Sequence, residues 1–286
     1  NDMPIDMKCP VLQRMTDMIA HRGPDSEGHY IDEHAALGHR RLSIIDLGGG
    51  QQPIYNEDGS KVITFNGEIY NYQTLREELI AAGHTFTTKS DTEVLLHGYE
   101  QWGVDLLQRV RGMFTFVIWD KNKQELFGAR DHFGIKPFYY AKMNGTFMYA
   151  SEIKSLLRHP DFVKEFNAEA LKPYMTFQYP AIGETFFKGV YKLPEGHYFT
   201  YRDGKMDIHR YYDEDFREGK QKLGELVNSI DQTVCDSVKA HQIADVEVGS
   251  FLSSGVDSSY VAAVARPQHT YSIGFGKGTY NESQQA

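Results

Sequence analysis

Residues 65–71 read Phe65-Asn66-Gly67-Glu68-Ile69-Tyr70-Asn71, with an amide, a glycine and a carboxylate in succession. The Asn66 side-chain N–H and the Gly67 backbone N–H are the kind of donors that acyl transfer aims at a developing oxyanion. Glu68 can accept from an ammonium group. The plain alternative is an ordinary turn closed by a capping Asn. Upstream, Arg41 opens the run Arg41-Leu42-Ser43-Ile44-Ile45-Asp46, where a guanidinium suits either a bidentate clamp on a carboxylate or a surface position. Downstream, Lys89-Ser90-Asp91-Thr92-Glu93 offers Ser90 or Asp91 as a helix N-cap, or Asp91 as a carboxylate for an amine. A third cluster, Ser253-Ser254-Gly255-Val256-Asp257-Ser258-Ser259, sets hydroxyls and a glycine between an apolar run and a helix start. Converging N–H groups and the helix dipole favour phosphate there. Asp257 suits a magnesium ion travelling with the phosphates, and with no Gly-Lys-Ser/Thr following, the loop differs from the common P-loop. Leu252 and Ile273 end the flanking strands and can pack on an adenine ring, or simply fill a core.

The elements that must position these residues are legible in outline. Residues 61–65 form an apolar run entered from the turn Glu57-Asp58-Gly59-Ser60, which predicts a buried strand. Residues 72–82 repeat Leu75, Leu79 and Ile80 at helical spacing between Asn71 as N-cap and Gly83 as stop. The amide, glycine and carboxylate are thus expected where a strand ends and a helix begins. A helix is expected over 10–20, a charged loop over 21–28, a partly buried strand around Leu42, Ile44 and Ile45, and a second helix from Lys89. Strands are expected over 111–120 and 124–130, with hairpins across Asn144-Gly145 and Asp203-Gly204. Many hairpins with few helices between them predict antiparallel sheets with helices packed outside. Past Tyr212 the character changes. Residues 213–222 form a charged linker, and Leu223, Leu226, Val227, Ile230, Val234 and Val238 follow as a helical stripe. A strand over 246–252, the Ser/Gly loop, a helix over 259–265 and a strand over 269–275 then predict the start of a parallel α/β domain that is cut off.

With 286 residues, 41% apolar and 24% charged, the chain can bury the core of two domains or one large one. A net charge of −9 and the lack of a basic block argue against nucleic acid, and no run approaches the length of a membrane span. Small polar substrates are the better expectation. The two cysteines, Cys9 and Cys235, are far apart, which fits a reducing cytosol and predicts a cytoplasmic protein. Twelve histidines without a His-x-x-x-His or Cys-x-x-Cys pattern point to no dedicated zinc site, and the spacing assigns no metal ligands.

Residues 21–28, 41–46, 65–71 and 90–93, with Gly128-Ala129-Arg130-Asp131-His132-Phe133-Gly134-Ile135-Lys136-Pro137, resemble the glutaminase domain of class II amidotransferases. Residues 253–259 resemble the pyrophosphate loop of the ATP-pyrophosphatase superfamily. In this order, and across nearly the whole chain, the combination resembles the glutamine-hydrolysing asparagine synthetases. The resemblance implies an α+β fold. A glutaminase domain over 1–212 would be an N-terminal-nucleophile hydrolase αββα sandwich, followed over 213–286 by a linker and a truncated α/β adenine-nucleotide-binding domain. It implies that Arg41 holds the α-carboxylate of glutamine, with Leu42, Ile44 and Ile45 shaping the pocket wall. Glu68 and Asp91 would hold the α-ammonium, and Asn66 with Gly67 would form the oxyanion hole. Leu252, Ser253, Ser254, Gly255, Asp257, Ser258 and Ile273 would hold ATP, with Mg2+. The implied reaction turns aspartate, glutamine and ATP into asparagine, glutamate, AMP and pyrophosphate through β-aspartyl-AMP, with ammonia passing along an internal channel. A homodimer is admitted but not fixed by the residues.

Three departures qualify the resemblance. The family begins with a cysteine nucleophile once Met is removed, its own α-amine serving as base. Here Cys9 lies between Lys8 and Pro10 and is not given that role, so the polypeptide as it stands is expected not to hydrolyse glutamine. Most of the synthetase region is expected to be missing. Ser254 occupies a loop position where glycine is commoner. Alternatives are another amidotransferase of this kind, a β-lactam-synthetase-like enzyme, or a non-catalytic glutamine- or nucleotide-binding module. The Ser/Gly loop disfavours the phosphoribosylamine- and glucosamine-phosphate-forming amidotransferases, and the intact set of Arg41, Asn66, Glu68 and Asp91 disfavours the β-lactam type.

Overall fold

A computed structural model describes residues 3–179 and 181–274. The chain divides into two compact units, Asn1–Glu214 and Asp215–Ala286. The first unit opens with helix α1 (Ile5–Asp17), then strands β1 (Ser26–Ile31), β2 (Ala36–Arg41), β3 (Ile54–Tyr55) and β4 (Lys61–Ile69). Helices α2 (Tyr72–Ala81) and α3 (Asp91–Trp102) follow, then strands β5 (Gly112–Asp120), β6 (Glu125–Arg130), β7 (Tyr139–Met143) and β8 (Thr146–Ala150). The unit closes with α4 (Ile153–Leu156), α5 (Leu171–Phe177), β9 (Val190–Lys192), β10 (His197–Arg202) and β11 (Lys205–Arg210).

Among the described residues, six antiparallel strands form one sheet in the order β11-β10-β6-β5-β4-β3. The pair β1-β2 and the three-stranded sheet β8-β7-β9 lie across from it. Side chains alternate across each strand, so every strand of the large sheet feeds two cores. Val62, Val117, Trp119, Leu126 and Phe199 pack between the sheets against Leu37 of β2 and against Tyr140, Phe147 and Tyr149 of β7 and β8. From the opposite face, Phe127 stacks on Tyr99 of α3, with ring centroids 4.7 Å apart. The smaller sheets turn Ala141, Met148, Ala150 and Val190 outward onto Val11 and Met15 of α1 and Leu156 of α4. The layers run helix, sheet, sheet, helix, the αββα sandwich that the resemblance implies.

Both predicted hairpins form. Asn144 and Asp203 adopt φ of 48° and 50°, and Gly145 and Gly204 follow at 80° and 75°. Two successive left-handed residues give a turn whose twist matches the flanking strands. Several expected boundaries move. Helix α1 begins at Ile5, with Pro10 inside it, because Val11, Leu12 and Met15 bury a stripe that the preceding turns extend. The apolar residues 42–45 are not a strand: β2 stops at Arg41 and a loop follows. Residues 66–68 are not a strand-to-helix turn either. Strand β4 runs on through Ile69, pairing Asn66 with Thr115, Gly67 with Phe114 and Glu68 with Met113. Asn71 takes the N-cap position of α2 without capping it. Its side chain instead donates to Arg109 O at 2.8 Å and accepts from Arg111 N at 2.9 Å, tying the helix start to the entry of β5.

In the second unit α6 (Leu223–Ala240) carries the predicted apolar stripe, and β12 (Ser250–Phe251) and β13 (Thr270–Tyr271) pair in parallel around α7 (Val256–Ala265). Both strands are two residues long, against the seven predicted for each. Part of the predicted second strand, from Phe275, lies outside the described residues.

Candidate active site

Alternation along β4 puts Asn66 and Glu68 on the same face as Val62 and Thr64, the face turned to the second sheet. There they line a cavity of about 640 Å3, together with Arg41, Leu42, Ile44, Ile45, Gly67 and Asp91. The structure therefore gathers every residue predicted for glutamine at one cavity, from β2, the loop after it, β4 and the first turn of α3. It includes Lys136 and Arg22 in the same wall.

Each residue is held by its neighbours. Gly67 is demanded by packing, since a Cβ there would lie 2.0 Å from Met113 O and 2.7 Å from the Phe114 Cα. The Asn66 Nδ2 atom is buried and has no hydrogen-bond partner among the described residues. A buried donor left unpaired costs roughly 1–3 kcal/mol, so such an atom calls for an explanation. Arg41 is buried and donates through Nη2 to Ile45 O at 2.8 Å and Asp46 O at 2.7 Å, so the loop after β2 folds around it. Gly50 permits this fit, because a Cβ there would lie 2.6 Å from Arg41 Nη2 and 3.2 Å from Ser90 Oγ. Asp46 accepts from Lys89 N at 2.8 Å and so locks the loop to the entry of α3.

Ser90, not Asp91, is the cap of α3: its hydroxyl accepts from Thr92 N at 3.2 Å. Asp91, only 5% exposed, accepts from Ile69 N at 3.0 Å, bridging β4 and α3. Burial pushes its carboxyl up to about 6, and the nearby Glu68 charge adds to this against the hydrogen bonds from Ile69 and Ser90. Two carboxylates lining one cavity favour a cationic guest. Burial also lowers Lys136, while Glu68 opposes the shift. Leu42 is 57% exposed at the rim, whereas Ile45 is buried behind Arg41.

Two site residues escaped the sequence reading. Gln52 brackets the backbone of Phe65, accepting from its N–H at 2.6 Å and donating to its carbonyl at 3.0 Å. His39 Nε2 lies 2.9 Å from the same carbonyl, and burial lowers its pKa to about 4. His39 was findable, because residues 39 and 41 share a face of any strand. Gln52 had no local signal. The Gly128–Pro137 motif, quoted without roles, turns out to be a brace. Arg130 donates to Gly134 O, Lys136 O and Leu193 O at 2.6–2.7 Å. Asp131 accepts from the backbone N–H groups of Phe133, Ile135 and Lys136 at 2.9–3.2 Å. Together they hold the loop that presents Lys136.

In the second unit, Ser253 N donates to Ser258 Oγ at 3.2 Å, and Ser258 Oγ donates to Gly255 O at 3.2 Å. Gly255 is the N-cap of α7 and supplies no side-chain cap; Asp257 stands in the first turn. Ser254 adopts φ 51°, the left-handed region in which a glycine is unstrained. Leu252 donates to Tyr271 O at 2.9 Å, while Ile273 lies past β13 and is exposed, so it fills no core among the described residues.

Residues 3–212 match the family model of the glutamine amidotransferase domain, and residues 229–286 match that of asparagine synthase. The chain belongs to the glutamine amidotransferase domain family. It is 46% identical over 277 residues to the glutamine-hydrolyzing asparagine synthetase 1 of Bacillus subtilis strain 168, covering 95% of this chain and 44% of that protein. Against asparagine synthetase 3 of the same organism it is 37% identical over 279 residues, covering 92% of this chain and 45% of that protein. The chain thus spans less than half the length of these relatives. No helix among the described residues is long and apolar enough to cross a membrane.

Proposed function

We propose that the first unit binds L-glutamine in the cavity and cleaves its side-chain amide to glutamate and ammonia. The observation that carries this is the buried, unpartnered Asn66 Nδ2 beside Gly67 on the cavity wall. Arg41 takes the α-carboxylate, Glu68 and Asp91 take the α-ammonium, and Leu42, Ile44 and Ile45 close the wall. A thiolate adds to the amide carbon, and the resulting oxyanion accepts from Asn66 Nδ2–H and Gly67 N–H. Collapse releases ammonia, and water then cleaves the thioester to glutamate. Cys9 is exposed on α1 and does not line the cavity, and Cys235 belongs to α6 of the second unit. We therefore assign the thiol to an N-terminal cysteine preceding these residues, with its own α-amine as base.

The functional division we propose is a glutaminase over 1–212 and the onset of a synthetase over 213–286, in a cytoplasmic enzyme. The donor set at residues 253–258 fits a polyphosphate: three hydroxyls, a helix N-terminus without a side-chain cap, and the Asp257 carboxylate for Mg2+. Ser253, Ser254, Gly255 and Ser258 would hold the phosphates of ATP, with Leu252 and Ile273 beside the base. Bound there, ATP activates the side-chain carboxylate of aspartate for attack by ammonia. The full activity we propose is that of an asparagine synthetase.

The test is steady-state glutaminase kinetics on a polypeptide that starts at the cysteine. Asn66→Ala is expected to cut kcat by about 100- to 1,000-fold with little change in KM. A raised KM with an intact kcat would assign Asn66 to binding alone.

A further inference from the structure

A second cluster sits beside Lys61, which opens β4, away from the Asn66 end of the strand. Glu57 from the β3–β4 turn, His84 from the connection after α2, and His97 and Glu100 from α3 bring one ligand atom each to within 4.8 Å of one another. Three chain segments converge there, which the absence of any short histidine motif hid. His97 Nδ1 lies 3.0 Å from Glu100 Oε2 and 3.3 Å from Glu57 Oε2; His84 Nδ1 lies 3.3 Å from Glu57 Oε1. Donors bound tetrahedrally to zinc at their usual distances stand about 3.3–3.5 Å from each other. The contacts of Glu57 with the two histidines already stand at that spacing, and all four ligand atoms lie within 4.8 Å of one another.

The outer contacts follow the same logic. A ligating histidine gives its far N–H to an acceptor, which fixes the tautomer and aims the other nitrogen's lone pair. His84 Nε2 lies 3.2 Å from Gln101 Oε1, whereas the buried His97 Nε2 makes no hydrogen bond among the described residues and stands 3.5 Å from Glu93 Oε1, an ion-pair distance. Glu93 is itself buried and anchored by the backbone and hydroxyl donors of Thr87 and Thr88 at 2.7–3.0 Å. The carboxylates are steadied as well. Glu57 Oε1 accepts from Thr85 N at 3.1 Å, and Glu100 Oε1 accepts from Asn56 at 2.7 Å and pairs with Lys61 at 3.4 Å. His97 is buried and Glu57 half-exposed, so the cluster has a rigid floor and an open side.

We infer that Glu57, His84, His97 and Glu100 form a divalent-metal site selective for zinc-like ions. Two imidazoles and two carboxylates suit Zn2+ and Co2+ over Ca2+ and Mg2+, which prefer oxygen donors alone. The ion would pin the β3–β4 turn and the α2–α3 connection to α3, whose first residue is Asp91. The rival occupant is a proton: His97 as imidazolium among Glu57, Glu93 and Glu100.

The experiment uses the chain carrying Cys9→Ser and Cys235→Ser, so that neither thiol binds metal, stripped with a chelator and titrated calorimetrically with Zn2+ alone. One equivalent is expected to bind and to raise the Tm, and Co2+ alone is expected to show the intense visible absorption of a four-coordinate site. Glu57→Gln with His84→Gln, which leave the buried His97 in place, should still fold cooperatively and lose at least about 100-fold in Zn2+ affinity. Gln101→Leu, which removes only the acceptor behind His84, should lose roughly 10- to 100-fold. Zn2+ binding of other than one equivalent, no rise in Tm, or equal affinity in the Glu57/His84 variant would overturn the site and leave a proton-held cluster.

Discussion

Burial keeps the Asp91 carboxyl near pKa 6 against an ordinary 3.8, and that shift has a sign. The folded chain takes up a proton that the unfolded chain has already lost between those values. Stability from this group is therefore full below about pH 4 and falls as pH rises through 6, by on the order of 3 kcal/mol. Asp91→Asn is expected to raise stability at pH 7.5 in urea unfolding, since Asn still accepts from Ile69 N, while weakening L-glutamine binding. In the unsubstituted protein, glutamine affinity is expected to fall about 10-fold from pH 7 to pH 5, as the carboxylate that faces the ammonium is neutralised. A pH-independent affinity would separate Asp91 from the ammonium. At the Ser/Gly loop, Ser254→Gly should relieve left-handed strain of roughly 1 kcal/mol, read as greater hydrogen-exchange protection at Ser253 and Ser259. Residue types were the most legible level in the sequence. Arg41, Asn66, Gly67, Glu68 and Asp91 advertise their chemistry and do meet at one cavity. Gln52 advertises nothing, because its role exists only where two distant segments touch.

Elements were legible where local chemistry decides them. Asn144-Gly145 and Asp203-Gly204 specify their turns, and Ser90 caps α3 where a cap was expected. They were obscure where pairing decides. Gly67 looks like a turn residue, yet it is a strand residue whose missing side chain lets β5 approach. Gly67→Ala would press a methyl onto Met113 O, and a loss of several kcal/mol is expected in chemical denaturation. Arg130 makes the same point for a loop. Arg130→Ala would leave the carbonyls of Gly134, Lys136 and Leu193 without their donor, and a loss of about 3 kcal/mol or more is expected. Limited proteolysis should then cut within residues 132–136, while cleavage unchanged from the parent would show that the loop is held by other means.

At the scale of the whole molecule, the αββα layering follows from one rule applied many times: alternation on each strand feeds a core on both faces of the large sheet. The cavity opens where β4 carries polar residues on its inner face, at Thr64, Asn66 and Glu68. The second unit was legible as a strand–loop–helix–strand, though its strands shrink because each has one short partner among the described residues. The central claim is that the first unit is a glutamine site, and calorimetric titration of L-glutamine tests it most directly. Saturable binding of one equivalent is expected. Arg41→Ala and Glu68→Gln should each weaken it by roughly 10-fold or more, the effect of one lost charge-assisted contact. No saturable heat, or affinities unchanged in both variants, would contradict the assignment.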